Sequence, residues 1–238
     1  MDNTSAIEQG LADAVMGRPY GFSVGGKHFF LYPITMGKMF LLQRQVDALG
    51  VKAENIQVDV SIEALRLAKE KQDECLTIIA YHTCKTPEEI FDNALIVEKK
   101  NLFRNEMSQE DIAALMILVL TMDKTSTFMT HLKIDQEHDK MARAMKIKES
   151  KNSLVFGGKS VYGTLIDAAC ERYGWTKEYV VWGIDYTSLR LMLADKVNSV
   201  YFTDDELKKL PASVRNNNED IIRPTKENME RILSMNWK

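Results

Sequence analysis

The stretch FSVGGKHFFLYPITM, residues 22–36, takes the chain from strand to helix and thereby decides the fold class. Two β-prone runs, FSV and KHFFLY, flank the pair Gly25-Gly26. A glycine pair readily supplies the positive φ angles that a two-residue primed turn requires, so the two runs are predicted to form a β-hairpin. Pro33 has no backbone N–H to donate to a ladder and should end the second strand.

Helices are indicated throughout the rest of the chain. Thr35 is suited to cap a helix from Met36 to about Leu49, and Gly50 can close it. Further helix starts are indicated at Ser61, Thr86-Pro87, Ser108 with Asp111, Ser160, Thr176, Tyr186, Thr203 with Glu206, and Thr225. In the helix that starts at Ser61, one broad apolar face is predicted from Ile62, Leu65, Ala68, Cys75, Leu76 and Ile79. The predicted fold class is mainly α with an N-terminal β-hairpin.

These patterns divide the chain into five segments. Residues 1–18 are small and polar and predict a mobile arm that orders only against a partner. Residues 133–152 are densely charged and lack glycine and proline, which predicts a charged linker helix that bridges two parts of the chain. The predicted organisation is an arm at 1–18, a hairpin with a helical domain at 19–132, the linker helix at 133–152, a second small helical unit at 153–211, and a loop with a terminal helix at 212–238.

The composition is typical of a soluble intracellular protein. Hydrophobic residues make up 45% of the chain and charged residues 27%, the mixture of a chain that buries a core. Lys and Arg number 31 against 34 Asp and Glu, so the basic surplus of a general nucleic-acid binder is missing. The N-terminus lacks the pattern of a signal peptide, and the longest apolar stretch, residues 112–122, is about half as long as a membrane span. Three scattered cysteines (Cys75, Cys84 and Cys170) predict a reducing compartment rather than a disulfide framework.

No motif predicts catalysis or a cofactor. The sequence GGKS at residues 157–160 lies where a phosphate-binding loop would lie, but the leading glycine of that pattern would fall at Ser153 and no parallel sheet is indicated. Cys75, His82 and Cys84 do not predict a structural zinc site, because such a site needs four ligands in paired short spacings. No histidine is linked by spacing to a nucleophile. We therefore expect no catalytic, metal-binding or cofactor-binding residues.

The most distinctive stretch is ERYGWTKEYVVWG, residues 171–183, with two of the three tryptophans. A stripe at helical spacing runs through Trp175, Tyr179, Trp182, Tyr186, Leu189 and Leu193. Gly183 and Asp185 predict a break in it, with Asp185 capping a second helix. The stripe predicts either the core of a small domain or an exposed face that binds a partner. A helix-turn-helix that reads DNA is the third alternative, although its basic and acidic residues balance instead of favouring phosphate.

Two regions of the sequence resemble tail assembly chaperones of long-tailed phages and prophages, especially those of Bacteroides-type hosts. The first region is FFLYPITMGK, residues 29–38. The second comprises GTLI at 163–166, the stretch 172–183, and LMLAD at 191–195. In that family an N-terminal domain is followed by a tail-binding extension, and the two-part layout predicted here is similar.

The resemblance implies a non-enzymatic chaperone in the cytoplasm of the bacterial host that is absent from the mature virion. Its partners would be the tape-measure protein, which it would coat, and the major tail protein, which it would recruit. Neither nucleic acid nor a membrane is an expected partner, and homo-oligomerisation stays open. Two other hypotheses are a minor structural or adaptor protein retained in the phage particle and a helical DNA-binding regulator. Gene order separates the three, because a chaperone gene should lie between those of the major tail protein and the tape measure.

Overall fold

The hairpin predicted around Gly25-Gly26 is confirmed in the computed structural model, which describes residues 3–148, 158–196, 200–211 and 214. Strands β1 (Tyr20–Val24) and β2 (Lys27–Leu31) form a two-stranded antiparallel sheet. Gly25 and Gly26 have φ angles of 54° and 72°, both positive as the primed turn requires. Strand β2 ends before Pro33, which agrees with the prediction.

The rest of the described chain is helical, so the fold is mainly α, as predicted. The α-helices are α1 (Asn3–Val15), α2 (Met36–Leu49), α3 (Ala53–Val58), α4 (Val60–Glu70), α5 (Gln72–His82), α6 (Pro87–Phe91), α7 (Asn93–Glu106), α8 (Gln109–Leu120), α9 (Thr125–His131), α10 (Ile134–Ile147), α11 (Ala168–Tyr173), α12 (Tyr186–Ala194) and α13 (Asp204–Lys209). Two segments, Tyr162–Asp167 and Tyr179–Gly183, are wider π-helical turns.

The predicted helix caps are present in the structure. The Thr35 hydroxyl accepts the Lys38 N–H in the first turn of α2 at 3.4 Å, and Gly50 closes that helix with φ of 58°. Thr86, Ser108 and Thr203 each form a complete capping box, at α6, α8 and α13 respectively. Each of these signals lies within four residues of the end it caps, so the local sequence was sufficient to predict it. The predicted terminal helix from Thr225 lies outside the described residues.

The helix predicted from Ser61 differs from the structure. It is broken at Lys71 into α4 and α5, and the short helix α3 precedes it. Ile62 and Leu65, which we expected on the apolar face, are 49% and 52% exposed. The buried stripe of α4 instead follows Ala64 and the residues one turn later, which pack against α8. The other four residues of the predicted face, Ala68, Cys75, Leu76 and Ile79, are fully buried as expected, so the error is confined to the first turns of α4.

Contacts divide the chain into two units. Described residues of Met1–Leu132 and Phe156–Lys196 belong to unit 1, and those of Lys133–Val155 and Val197–Lys238 to unit 2. This division differs from the predicted boundaries, because the segment expected at 153–211 as a separate unit is split between the two. In unit 2, α10 confirms the helical character of residues 134–147, and the Lys148 ammonium donates to the Tyr201 carbonyl at 3.1 Å.

Unit 1 has two hydrophobic clusters. The first lies among β1, β2 and the helices from α2 to α8, and its fully buried side chains include Leu31, Leu42, Leu67, Cys75, Leu76, Ile79, Phe103, Ile112 and Met116. The second is smaller and consists of Met36, Ile166, Ala169, Val180, Ile184 and Leu189. Because Met36 comes from α2, the second cluster is built from both sequence segments of unit 1. A core of this kind ties residues 158–196 to the N-terminal helices.

Helix α1 lies in the segment predicted as an arm that orders against a partner. It contacts α9 and α12, and the Ser188 hydroxyl donates to the Ala14 carbonyl at 3.1 Å. In the part of the chain that the structure describes, no single helix combines the length and apolar character of a membrane span, and only α8 with α9, bent by 47°, would reach them as a pair.

Candidate functional site

The start of α2 and the π-helical segment Tyr179–Gly183 lie side by side in unit 1. Their approach is fixed by a short bridge between Thr35 and Asp185, in which the Tyr186 N–H donates to the Ile34 carbonyl at 2.8 Å. Asp185 also caps α12, as predicted, by accepting the Ser188 N–H at 2.8 Å. Backbone pairing and capping therefore hold the two regions in one arrangement.

Trp182 packs its indole directly on the backbone of α2 at Gly37. A Cβ atom at Gly37 would lie 2.4 Å from the indole ring, so only glycine allows this approach. The indole also packs against Phe91 in a T-shaped contact, with ring centroids 5.5 Å apart. Trp182 is thus held between α2 and the end of α6.

Three more aromatic side chains continue the surface beside Trp182. Tyr173 stacks on Trp175 with centroids 4.6 Å apart, and Trp175 meets Tyr179 edge-on at 5.1 Å. The Tyr173 hydroxyl donates to the Met192 carbonyl at 2.8 Å, which anchors this row to α12. Tyr179 is 44% exposed at the end of the row. Large rigid aromatics of this kind contribute contact area at a low cost in conformational entropy.

Trp175, Tyr179 and Trp182 line an open cavity of about 850 Å³ together with the start of α2. Its walls include Val15, Met16, Tyr32, Pro33, Lys38, Lys85, Thr86, Trp175, Glu178, Tyr179, Trp182, Ile184, Leu191 and Met192. Ligand-binding cavities commonly measure about 300–1,000 Å³ and combine apolar walls with a few polar groups. The cavity has both properties, so it is the candidate functional site.

Lys38 is the unusual polar residue of this cavity. Its side chain is only 1% exposed, and its ammonium lies 5.7 Å from the centroid of the Tyr32 ring. Among the residues that the structure describes, none accepts a hydrogen bond from the ammonium or forms an ion pair with it. Burial lowers the pKa of Lys38 to about 8, while Cys84 and Glu89 oppose the shift and Lys99 adds to it. The group therefore still carries its charge at pH 7.

The groups around Lys38 are occupied by other partners. The Glu89 carboxylate accepts the backbone N–H groups of Lys85 at 2.6 Å and of Thr86 at 3.4 Å. The Lys99 ammonium donates to the Thr83 carbonyl at 3.2 Å and contacts Cys84 Sγ at 3.4 Å. Lys99 thus has acceptors of its own, in contrast to Lys38.

His82 lies behind Lys38 as a buried neutral ring. Burial and, to a smaller extent, the nearby Lys38 charge lower the pKa of His82 to about 4. A neutral ring can donate its Nδ1 proton to the Tyr32 carbonyl 3.2 Å away, and the Tyr32 N–H donates back to the His82 carbonyl at 2.9 Å. This pair of bonds fixes the Tyr32 ring at the cavity wall.

The six residues of the predicted stripe have different environments. Trp175, Tyr179 and Trp182 line the cavity, as a partner-binding role would require. Tyr186 lies beneath the Arg190 guanidinium, 5.5 Å from it, and Leu193 packs against the second cluster. Leu189 is fully buried in that cluster, so it offers no surface to a partner. One part of the stripe is therefore core, as the first alternative predicted, and another part lines a cavity. That this second part binds a partner stays a prediction.

Sequence analysis missed Lys38, Tyr32 and the role of Gly37. Lys38 lies 144 positions before Trp182 in sequence, and no local pattern links positions so far apart. One signal was present in the helix itself: Lys38 lies in the first turn of α2, next to Met36, whose side chain is fully buried. A lysine beside buried positions predicts either a side chain that reaches water or a functional charge.

The other candidate residues from the sequence have structural roles. The Ser160 hydroxyl accepts the Gly163 N–H at 3.4 Å, as expected of a helix cap, whereas residues 151–157 lie outside the described part. Cys75 and Cys84 are both fully buried thiols. Within the ranges that the structure describes, no three His, Cys, Asp or Glu side chains are grouped as metal ligands.

Comparison with protein-family models, with curated proteins and with solved structures gave no match. Function is therefore argued from the cavity itself. Its chemistry is an aromatic and apolar wall with a single buried ammonium, which suits a ligand that is largely apolar and carries an acceptor.

Proposed function

We propose that this protein is a non-enzymatic tail assembly chaperone that holds a segment of the tape-measure protein in its aromatic cavity and helps to recruit major tail subunits. One observation carries the proposal: the two regions that resemble tail assembly chaperones both contribute residues to the cavity. Residues 29–38 contribute Tyr32 and Lys38 to the cavity, and residues 172–183 contribute Trp175 and Trp182. Regions far apart in sequence thus meet at one candidate binding site.

The cavity suits the proposed partner physically. A long tape-measure protein exposes apolar segments before the tail assembles around it, and such segments aggregate unless they are covered. Covering apolar surface contributes about 25 cal/mol per Å² removed from water, so an aromatic cavity of this size can hold a few apolar side chains with useful affinity. Tyr179 extends the aromatic surface to the edge of the cavity, where a chain would enter.

The direct test is co-expression with the tape-measure protein of the same phage. The wild-type protein should keep the tape measure soluble and co-purify with it. Tyr179→Ala should weaken this complex by about thirtyfold or more, as loss of an aromatic hot spot does. The matched control is Tyr162→Ala, which removes a tyrosine that is 61% exposed from the other π-helical segment, away from the cavity wall. A wild-type protein that neither solubilises nor co-purifies with the tape measure would end the proposal.

Peptide mapping of purified virions separates this function from that of a particle component. A chaperone is released once the tail is complete, so its peptides should be absent from mature particles. Stoichiometric recovery of the protein in virions would favour the minor structural or adaptor role instead.

A further inference from the structure

The buried ammonium of Lys38 has three hydrogen-bond donors and lies in the wall of the candidate binding cavity. A charged group that has left water is costly unless acceptors are supplied to it. The carboxylate that acts on Lys38 electrostatically, Glu89, already accepts backbone N–H groups. The N–H donors of the Lys38 ammonium can therefore bind an acceptor on a ligand that enters the cavity.

A carboxylate is the acceptor that best fits this position. It is a compact anion that forms short, strong hydrogen bonds with an ammonium, and its charge offsets that of Lys38. The neighbouring walls are indole and phenol rings, which favour an apolar or aromatic group beside the anion. The other charged residues of the wall differ from Lys38 in their surroundings. Lys85 and Glu178 are both exposed, and the Asp185 carboxylate caps α12.

We propose that the cavity recognises an acidic side chain of the bound partner segment at Lys38, with a flanking apolar or aromatic side chain packed on Trp175, Tyr179 and Trp182. The inference rests on the proposed binding function of the cavity and adds the chemistry of the segment. A peptide is favoured over a free small carboxylate because the walls provide contact area for several side chains around a single charged group.

Paired peptides test the proposal by calorimetry at pH 7. The probes are acetyl-Phe-Glu-Leu-amide and acetyl-Phe-Gln-Leu-amide, which are nearly isosteric and differ in the carboxylate. The wild-type protein should bind the Glu peptide about tenfold or more tightly than the Gln peptide, the effect of a charged hydrogen bond. Lys38→Met should reduce this preference to within about twofold. Equal binding of the two peptides by the wild type, or no binding of either, would overturn the proposal.

Lys85→Met is the matched control, because it removes a lysine from the exposed rim of the same cavity. It should leave the tenfold preference intact. If Lys85→Met removes the preference and Lys38→Met does not, the carboxylate is bound at the rim and the assignment to Lys38 is wrong. Since Lys38→Met exchanges a buried charge for an apolar side chain of similar length, it should remain folded, which circular dichroism checks.

The preference for Glu should also depend on pH in a defined direction. Lys38 must be protonated to bind a carboxylate, so the preference should fall as the pH rises above about 8. The neighbours that set this titration are His82, Cys84, Glu89 and Lys99, of which His82 is already neutral in this range. A preference that is unchanged up to pH 10 would contradict an ammonium at the site.

Two further outcomes separate this inference from the function on which it rests. Indole-3-acetate is the probe for a free aromatic carboxylate, and binding tenfold tighter than that of the Glu peptide would overturn the assignment to a peptide segment. Discrimination between the peptides together with failed co-expression would end the tape-measure assignment while the acidic site stands. Successful co-expression without discrimination would leave the chaperone function and remove the role of Lys38.

Discussion

At the ammonium of Lys38, the stability of the fold and the proposed binding of a carboxylate have opposite requirements. A buried cation without an acceptor destabilises the folded state, yet that same lack of an acceptor is what a carboxylate ligand would need. The Lys38 ammonium lies over the Tyr32 ring, and this contact compensates only part of the lost hydration. Charges kept in this condition are characteristic of functional sites.

Replacing Lys38 should therefore stabilise the unliganded protein. At pH 7 we expect Lys38→Met to raise the free energy of unfolding by about 1–3 kcal/mol in urea denaturation. The pKa of Lys38 is lowered from 10.5 to about 8 in the folded state, so between these values the unfolded chain binds more protons. The contribution of Lys38 to stability thus rises with pH over this window, and the advantage of Lys38→Met should shrink by pH 10.5. A variant that is less stable than wild type at pH 7 would show that the ammonium has a partner.

Glu63 is the opposite case, because its buried charge has hydrogen-bond donors within the protein. Its carboxylate accepts the Lys52 N–H at 2.8 Å, the Asn55 amide at 2.6 Å, and the Arg66 guanidinium at 2.5 and 3.0 Å. The pKa of Glu63 is lowered to about 2, and the largest cause is hydrogen bonding from Arg66. This one side chain holds the start of α3 against α4.

Glu63→Gln should cost about 3 kcal/mol of unfolding free energy at pH 7, because it leaves the Arg66 charge without its buried partner. Glu70→Gln is the control: Glu70 pairs with the same Arg66 at 2.8 Å but is 57% exposed, and its loss should cost less than about 1 kcal/mol. The stability that Glu63 contributes is complete above pH 4.5 and is lost as the pH falls toward 2. Equal effects of the two substitutions in chemical denaturation would contradict a special role for Glu63.

At the scale of elements, the predictions that held depend on short-range chemistry. The Gly25-Gly26 turn and the Thr35 cap are determined within a few residues, and both formed as expected. The break at Lys71 and the π-helical segment Tyr179–Gly183 were missed, because packing against other elements determines them. The aromatic part of the candidate site could be predicted from spacing, whereas the contribution of α2 could not.

The contact between α2 and Tyr179–Gly183 is tested by Gly37→Ala. In an ordinary helix this change stabilises by up to about 1 kcal/mol, but here the new methyl would meet the Trp182 ring at 2.4 Å. Because the ring also packs against Phe91 and must shift to admit the methyl, we expect a net cost of about 2 kcal/mol in thermal or chemical denaturation.

Gly10→Ala is the matched substitution in another helix. A Cβ atom at Gly10 would lie 3.7 Å from the Phe128 ring, an ordinary contact, so this variant should gain about 0.5–1 kcal/mol. Opposite signs for the two alanines would verify the close approach of Trp182 to α2. A stabilised Gly37→Ala variant would place the indole elsewhere.

At the scale of the whole molecule, unit 1 is assembled from two segments that are separated in sequence by residues of unit 2. The sequence indicated a break near residue 153, and the observed division has a boundary between Val155 and Phe156. What the sequence did not show is which part of the chain the following helices pack against. Met36 in the second cluster and Trp182 against the first are among the contacts that join the segments, together with the bridge between Thr35 and Asp185. Because these contacts join the two segments, we expect unit 1 to unfold cooperatively.

Trp182→Ala tests this cooperativity. Trp182 packs against α2, Phe91 and the first cluster, so truncating it should cost about 3 kcal/mol of unfolding free energy. Hydrogen exchange should then show loss of protection in α5 and in α11 together, although the two helices lie in different sequence segments. Protection lost in α11 alone would mean that the second cluster unfolds independently.

Tyr179→Ala is the control for that measurement, since Tyr179 lines the same cavity but is 44% exposed. Its truncation should lower stability by less than about 1 kcal/mol and leave the exchange of α5 and α11 unchanged, while weakening partner binding. The pair thus separates two roles within one aromatic row: Trp182 joins the segments of unit 1, and Tyr179 presents surface to a ligand. If Tyr179→Ala destabilised unit 1 as much as Trp182→Ala, any loss of binding would follow from unfolding, and Tyr179 would no longer support a recognition role.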